Sequence, residues 1–225
     1  MLFLLCITID IRIAIAIYVM MRKAIRTRLS REETQAQTRE RLLQAARKEV
    51  ASKGAAASVR DIAEAAGYSQ GALYANFGSK EELLLELMRR HMQEEAAVLT
   101  ALIENAKGDA GIAMQGLERW AEALHADADW PALAIELELH ARRSESFAAE
   151  YRAVQSAHSR ALGRLLGQLF KMMGLLPPGD PVELAAGLMA LAHGLALRGA
   201  PSSRNSGKTI MAFLRGLIKS AETKS

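Results

Sequence analysis

Cysteine is nearly absent: the 225-residue chain has one, Cys6. A single thiol cannot close an internal disulfide, which excludes a disulfide-stapled scaffold and makes the reducing cytoplasm the natural setting. Aromatic residues are scarce at 5%, and there are only 5 prolines. Half of the residues are nonetheless apolar, enough for a real core, with Ala and Leu plentiful among them. Ala and Leu lose little on entering a helix and β-branched residues lose more, so an all-α fold is expected. The sequence also lacks a Gly-rich phosphate loop, a nucleophile elbow and a paired-cysteine motif. Its 5 histidines, His91, His125, His140, His158 and His193, fall without metal-ligand spacing. No catalytic residue, metal site or cofactor is therefore expected. The rival reading is a helical-bundle enzyme whose site is assembled from distant residues, and assaying the purified protein for DNA binding separates the two.

The net charge of +4 is unevenly spread. Residues 21–60 hold 11 Lys/Arg against 4 Asp/Glu, whereas residues 61–225 hold 17 against 20. A basic head on a mildly acidic body is the asymmetry expected when one end faces a polyanion, although a basic linker would share it. A non-specific architectural DNA protein would explain the head, but not an apolar body that outweighs it several-fold.

Residues 1–20 are almost wholly apolar and long enough to resemble a membrane span. Asp10 and Arg12 fall in the middle of that run, where charge is costly, and no basic segment precedes it. Isoleucine recurs at every second position from Ile7 to Ile17, a strand period in an otherwise helical sequence. The preferred reading is a mis-assigned start, with the protein beginning near Met21; a membrane anchor is the alternative. Residues 21–37 then form a basic arm in which Arg22, Lys23, Arg26 and Arg28 are suited to a phosphate backbone or a minor groove.

Residues 38–84 carry the functional signal. A first helix is expected from about Thr38, with Leu42, Leu43, Ala46 and Val50 on one face and Gly54 ending it. Ser58 stands three residues before Asp61 in capping-box spacing, opening a short second helix that Gly67 stops. Ser69 is placed to cap a third through Phe77, and Ser79 with Glu82 forms a second box that launches a long helix. Two brief helices joined by a tight glycine turn meet the requirement of a helix-turn-helix. Ser69, Gln70, Gly71 and Ala72 at the start of the third helix are small or polar, as a major groove demands. Gln70 suits an adenine edge and Ala72 a thymine methyl, while Tyr74, Lys80 and the capping hydroxyls suit phosphates.

The run from Val59 to Leu84 resembles the tetracycline-repressor (TetR) family. It shares the pair Ile62-Ala63, the turn Ala66-Gly67, Gly71 before Leu73-Tyr74, Phe77 three residues after Tyr74, and Ser79-Lys80-Glu81 opening the fourth helix. The resemblance covers roughly residues 38–85. It implies that Tyr74 and Lys80 contact phosphates, that Ser58 supplies the second helix's hydroxyl, and that Ser69 to Phe77, Asn76 included, form the recognition helix. Val50 in place of an aromatic and the plain linker Ala55-Ala56-Ala57 depart from the family pattern without removing a DNA contact. It further implies a homodimer on double-stranded operator DNA, repressing transcription until a small-molecule effector releases it. A membrane partner is disfavoured.

Residues 85–225 read as a helical effector-binding and dimerisation domain. Helices are expected to about 105, then 109–127, 130–142, 145–173, 181–198 and 206–221, with breaks at Gly108, at Asp129 with Pro131, at Pro177-Pro178-Gly179 and at Pro201-Ser202-Ser203. Leu184 to Leu197 is apolar on nearly every face, so it must be buried all round. Its small Ala186, Gly187, Ala190 and Gly194, with Leu162, Leu165, Leu166, Leu169 and Phe170, point to a four-helix dimer interface; a central helix of a monomeric bundle is the alternative. The candidate effector-pocket wall is Met114, Trp120, Leu124, Trp130, Leu133, Leu137, His140, Phe147, Met189 and His193, though such residues equally fill cores. Arg142-Arg143 is expected to complement a helix C-terminus.

Overall fold

In the computed structural model, residues 31–123, 129–196 and 200–223 are described. The leader, the basic arm with Arg22, Lys23 and Arg26, and Leu124 lie outside them. Contacts divide the chain after Glu40. Of the first unit, residues 31–40 are helical and mostly exposed. The second unit is residues 41–225.

Helix α1 runs Arg31–Lys53, starting seven residues before the expected Thr38. Glu32 and Glu33 complement the dipole of its first turn. Thr38 is no cap: its hydroxyl donates to the Thr34 carbonyl 2.9 Å away, inside the helix. A 3-10 turn, Gly54–Ala56, follows and leads to α2, Val59–Ala66, and α3, Gln70–Phe77. Gly54 sits at φ +59, a backbone conformation that favours glycine, and the Glu136 carboxylate lies 2.7 Å from where a Cβ would stand.

The body comprises α4, Lys80–Asn105; α5, Ala110–Ala123; α6, Asp129–Ala141; α7, Glu145–Met172; α8, Pro181–Ala196; and α9, Ala200–Lys219. The start of α9 corrects the expected 206. Proline in a first helical turn surrenders no hydrogen bond, so Pro201 opens this helix instead of breaking the chain. Two-residue strands β1, Leu175–Leu176, and β2, Glu222–Thr223, pair antiparallel and pin the end of the chain beside the end of α7.

One apolar cluster joins Leu42, Leu43, Ile62, Leu73 and Phe77 to Leu83, Met88, Trp130, Leu133 and Phe147. The helical head is therefore packed on α4, α6 and α7 through shared side chains. A second cluster lies further along, where Leu99 and Ile103 meet Leu166, Phe170, Met211 and Leu214. Removing one such side chain costs about 2–5 kcal/mol through lost burial and the cavity left behind.

Candidate nucleic-acid interface and body cleft

Helix α2 owes its start to a reciprocal cap. The Ser58 hydroxyl accepts from the Asp61 N–H at 3.1 Å, and an Asp61 oxygen accepts from the Ser58 N–H at 2.8 Å. The same carboxylate also accepts from the Ser58 hydroxyl and, at 3.0 Å, from Lys53 Nζ. Donors from Ser58, then Lys53, hold the Asp61 carboxyl well below the usual carboxylate range. The helix ends on Gly67 at φ 78, where Tyr68 N–H reaches the Ala63 carbonyl and Gly67 N–H the Glu64 carbonyl. That double closure is a Schellman motif, and its left-handed residue turns the chain directly into α3.

The Ser69 hydroxyl caps α3 by accepting from the Ala72 N–H at 3.2 Å. Leu73 and Phe77 face inward, 0% and 4% exposed, and lock α3 against the head's core. Ser69, Gln70, Gly71, Tyr74 and Ala75 are exposed and Ala72 is half-buried, leaving a surface of small and polar groups on the N-terminal turn. Ala75 was missed in the sequence; its spacing from Gly71 places it on that surface.

One expected DNA contact is corrected, and two others also bond within the chain. Phe77 is core, because it is the apolar residue that α3 turns inward. Asn76 Nδ2 donates 2.8 Å to the Ala72 carbonyl, tying it to its own helix. The Lys80 ammonium donates to the Ala57 carbonyl just before α2, and burial pulls its pKa below the ordinary lysine value. At Ser79 the cap is one-sided: its hydroxyl accepts from the Glu82 N–H at 3.0 Å.

Two neighbouring cavities of the body take up expected pocket residues. An apolar one of about 100 Å³ is walled by Leu99, Ile103, Leu162, Leu166, Met211 and Leu214, among others. A cleft of about 290 Å³ adjoins it, and the two share Trp120, Met189 and Ala192. The cleft adds Arg47, His91, Glu94, Glu95, Trp130 and His193. Trp130 stacks on His91 with ring centroids 3.5 Å apart. Burial lowers the pKa of His193, favouring its neutral imidazole, with Glu95 opposing. Trp120, Trp130, Met189 and His193 line these cavities.

Other expected pocket residues lie elsewhere. Met114 packs against the second cluster, while Leu133, Leu137 and Phe147 belong to the first because their sides of α6 and α7 face the head. Leu137 nonetheless lines a further cavity of about 160 Å³ together with Trp130 and His193. His140 leaves the pocket altogether: its Nε2 donates to Glu81 Oε1 at 2.8 Å, and the Ser144 hydroxyl donates to the same oxygen at 2.9 Å. Arg142 pairs with Glu138 at 3.2 Å, one helical turn back. The cleft's polar wall was overlooked, although His91, Glu94, Glu95 and Val98 recur at helical spacing.

The expected dimer residues divide in two. Leu162 and Leu169, 6% and 2% exposed, are buried within the chain and offer no surface to a partner; Leu165 is half-buried against the apolar cavity. Ala186, Gly187, Ala190 and Gly194 are exposed along one side of α8. On α9, Phe213 is 58% exposed, beside exposed Ala212 and Gly216. A Cβ at Gly187, Gly194 or Gly216 would meet nothing within 4 Å, so the chain's own packing does not demand these glycines. Among the described residues, no helix is long and apolar enough to cross a membrane.

A capped two-helix unit with a Schellman turn and an exposed second helix, set on an all-helical body, defines the helix-turn-helix class. Residues 42–87 match the family described as "Bacterial regulatory proteins, tetR family". Over those residues the chain is similar to that family. It is 30% identical over 128 residues to the HTH-type transcriptional repressor AcnR of Corynebacterium efficiens, a match covering 56% of this chain and 62% of that protein. A TetR-family regulator from Mesorhizobium loti shares the fold at TM-score 0.66 and 19% identity, over 87% of this chain and 100% of that one. GusR of Salmonella enterica does so at TM-score 0.63 and 23% identity, over 81% and 95%.

Proposed function

We propose that the protein is a cytoplasmic, homodimeric transcriptional repressor that binds a palindromic operator and is released from it by a small molecule. The observation that carries this reading is the exposed N-terminal surface of α3. Gln70, Gly71 and Ala72 read base edges there, and Tyr74 and Ser69 hold phosphates beside Ser58. Gly71 supports it independently. A Cβ at that position would meet only Ser69 Oγ, at 3.7 Å, so the protein itself has room for a side chain. The groove is what needs the close approach. Arg22, Lys23 and Arg26 of the basic arm add phosphate contacts, which strengthen binding at every sequence and make it salt-dependent.

The dimer forms through the small-residue face of α8 and through α9, with Phe213 as the apolar anchor. That surface replaces the leucines of α7 in the interface. It presents two copies of α3 to successive major grooves, whose half-sites are spaced by about 34–36 Å or a multiple.

Effector response runs through α6. Its first turn puts Trp130 in the cleft, and its second half sets Glu136 against Gly54 and His140 on Glu81, at the head. A ligand that favours another position of Trp130 shifts this helix and with it the population that fits DNA, by as much as its affinities for the two states differ.

Footprinting on the DNA flanking the protein's own gene tests the reading. Two protected half-sites at the stated spacing are expected. A monomer in solution with no preference for any duplex over random competitor at moderate salt would overturn it.

A further inference from the structure

The chemical class of the effector follows from the charges around the cleft. Facing it are Arg47 from α1; His91, Glu94 and Glu95 from α4; and His193 from α8. His158 of α7 stands behind Glu95. The fixed charges are two carboxylates against one guanidinium. Glu95 is the deeper acid, its side chain 11% exposed, and His158 Nε2 lies 2.9 Å from it without hydrogen-bond alignment. A carboxylate buried this far is poorly solvated, and its two oxygens can accept more than the one contact with His158. Two indoles complete the wall; His91 covers one face of Trp130, and Trp120 is the half-buried indole whose negative face attracts a desolvated cation more than any other side-chain ring does. Beyond Trp120 the lining turns wholly apolar, with Leu99, Leu166 and Leu214.

We propose that this cleft binds a monovalent organic cation with an apolar body, the charge resting against Glu95 and the body passing Trp120 towards the leucine-lined cavity. The inference rests on the effector reading above and names the ligand class for it. An anion would have to pair with Arg47 while facing both carboxylates, and a neutral apolar molecule would leave Glu95 without new compensation. Binding a cation lowers the cost of that buried charge, so the carboxylate selects by sign as the cavity selects by shape.

The chain's 2 tryptophans, Trp120 and Trp130, both border this cleft, so intrinsic fluorescence reports on it directly. The full-length protein is titrated with tetraphenylphosphonium and with tetraphenylborate, ions of nearly the same shape and opposite charge. Saturable quenching by the cation is expected, with an affinity about tenfold or more above that for the anion, since a desolvated cation gains on an indole face and beside a carboxylate. Glu95→Gln should remove most of that preference, weakening the cation and leaving the anion's affinity equal or higher; Glu94→Gln, at an exposed position, should reduce it less and serves if the first variant melts early. Equal or tighter binding of tetraphenylborate, or no saturable binding of either ion, overturns the proposal. Binding to a duplex from the protein's own promoter is measured in parallel: retained DNA binding with failed cation binding overturns the ligand class alone, whereas loss of both overturns the regulator reading.

Discussion

Glu81 and His140, 59 residues apart in the chain, meet at 2.8 Å where α4 begins beside the head. Ser144 closes on the same carboxylate oxygen, so one side chain of α4 holds the end of α6 and the start of α7 together. Both the Glu81 and His140 side chains are over a third exposed, so solvent screens the pair and its value to stability is small. Its value lies in registration: α6 cannot slide along α4 without breaking it.

Glu81→Gln should therefore leave operator affinity within about threefold, since a partly exposed contact contributes under about 1 kcal/mol. The ratio of operator affinities with and without tetraphenylphosphonium should fall towards one. Fluorescence anisotropy on a labelled duplex checks both numbers, and an unchanged ratio would remove α6 from the response.

Gln70→Ala and Tyr74→Phe should differ in kind. The first relaxes discrimination at one operator position by about 1–3 kcal/mol, because a base edge loses its paired partner. The second weakens binding to all sequences alike and makes the salt dependence shallower. Competition with operator variants at two salt concentrations separates them, and intact discrimination in Gln70→Ala would refute the assignment of α3.

Phe77→Ala is expected to lower stability by about 3–5 kcal/mol, as for a large buried aromatic. Thermal melting should show it directly. Phe77→Leu, which keeps most of the volume, should restore operator binding; failure to do so in a folded protein would return Phe77 to the interface.

Asp61 predicts an acid dependence. Its pKa is depressed in the folded protein, so the stability it contributes is present above its unfolded value, about 3.9, and is lost as pH falls through the window below it. Asp61→Asn should melt earlier than the parent at pH 7, with the gap closing as pH drops below about 4. A gap independent of pH would mean that the carboxylate's charge is not what secures the cap.

Ala190→Glu should turn dimers into monomers by light scattering without lowering the melting temperature of the isolated subunit, since Ala190 is exposed. Leu162→Ala should do the reverse, costing about 2–5 kcal/mol of fold stability while association persists.

Much of the head was legible in the sequence because its determinants are local. Ser58, Gly67 and Ser69 act on backbone groups within five residues of themselves, so spacing alone reveals the caps and the turn between α2 and α3. The family resemblance over residues 38–85 rests on that same locality. The body was read less well because cavities and surfaces depend on which faces of distant helices meet. His140 has the composition of a pocket residue, yet the packing of α6 on the head carries it to Glu81. Leu162 and Ala190 both fit an interface by residue type, and only burial separates them.

Residue order by itself determined the all-helical class, the short capped pair and the small polar start of α3, since helix propensity, capping and turn geometry operate within a few residues. Tertiary structure alone decided that Phe77 turns inward and that Lys80 reaches the Ala57 carbonyl. It also brought Glu95 beside Trp120 and Trp130 and left the leucines of α7 inside the chain. Those outcomes depend on contacts across long sequence separations, which no periodicity encodes.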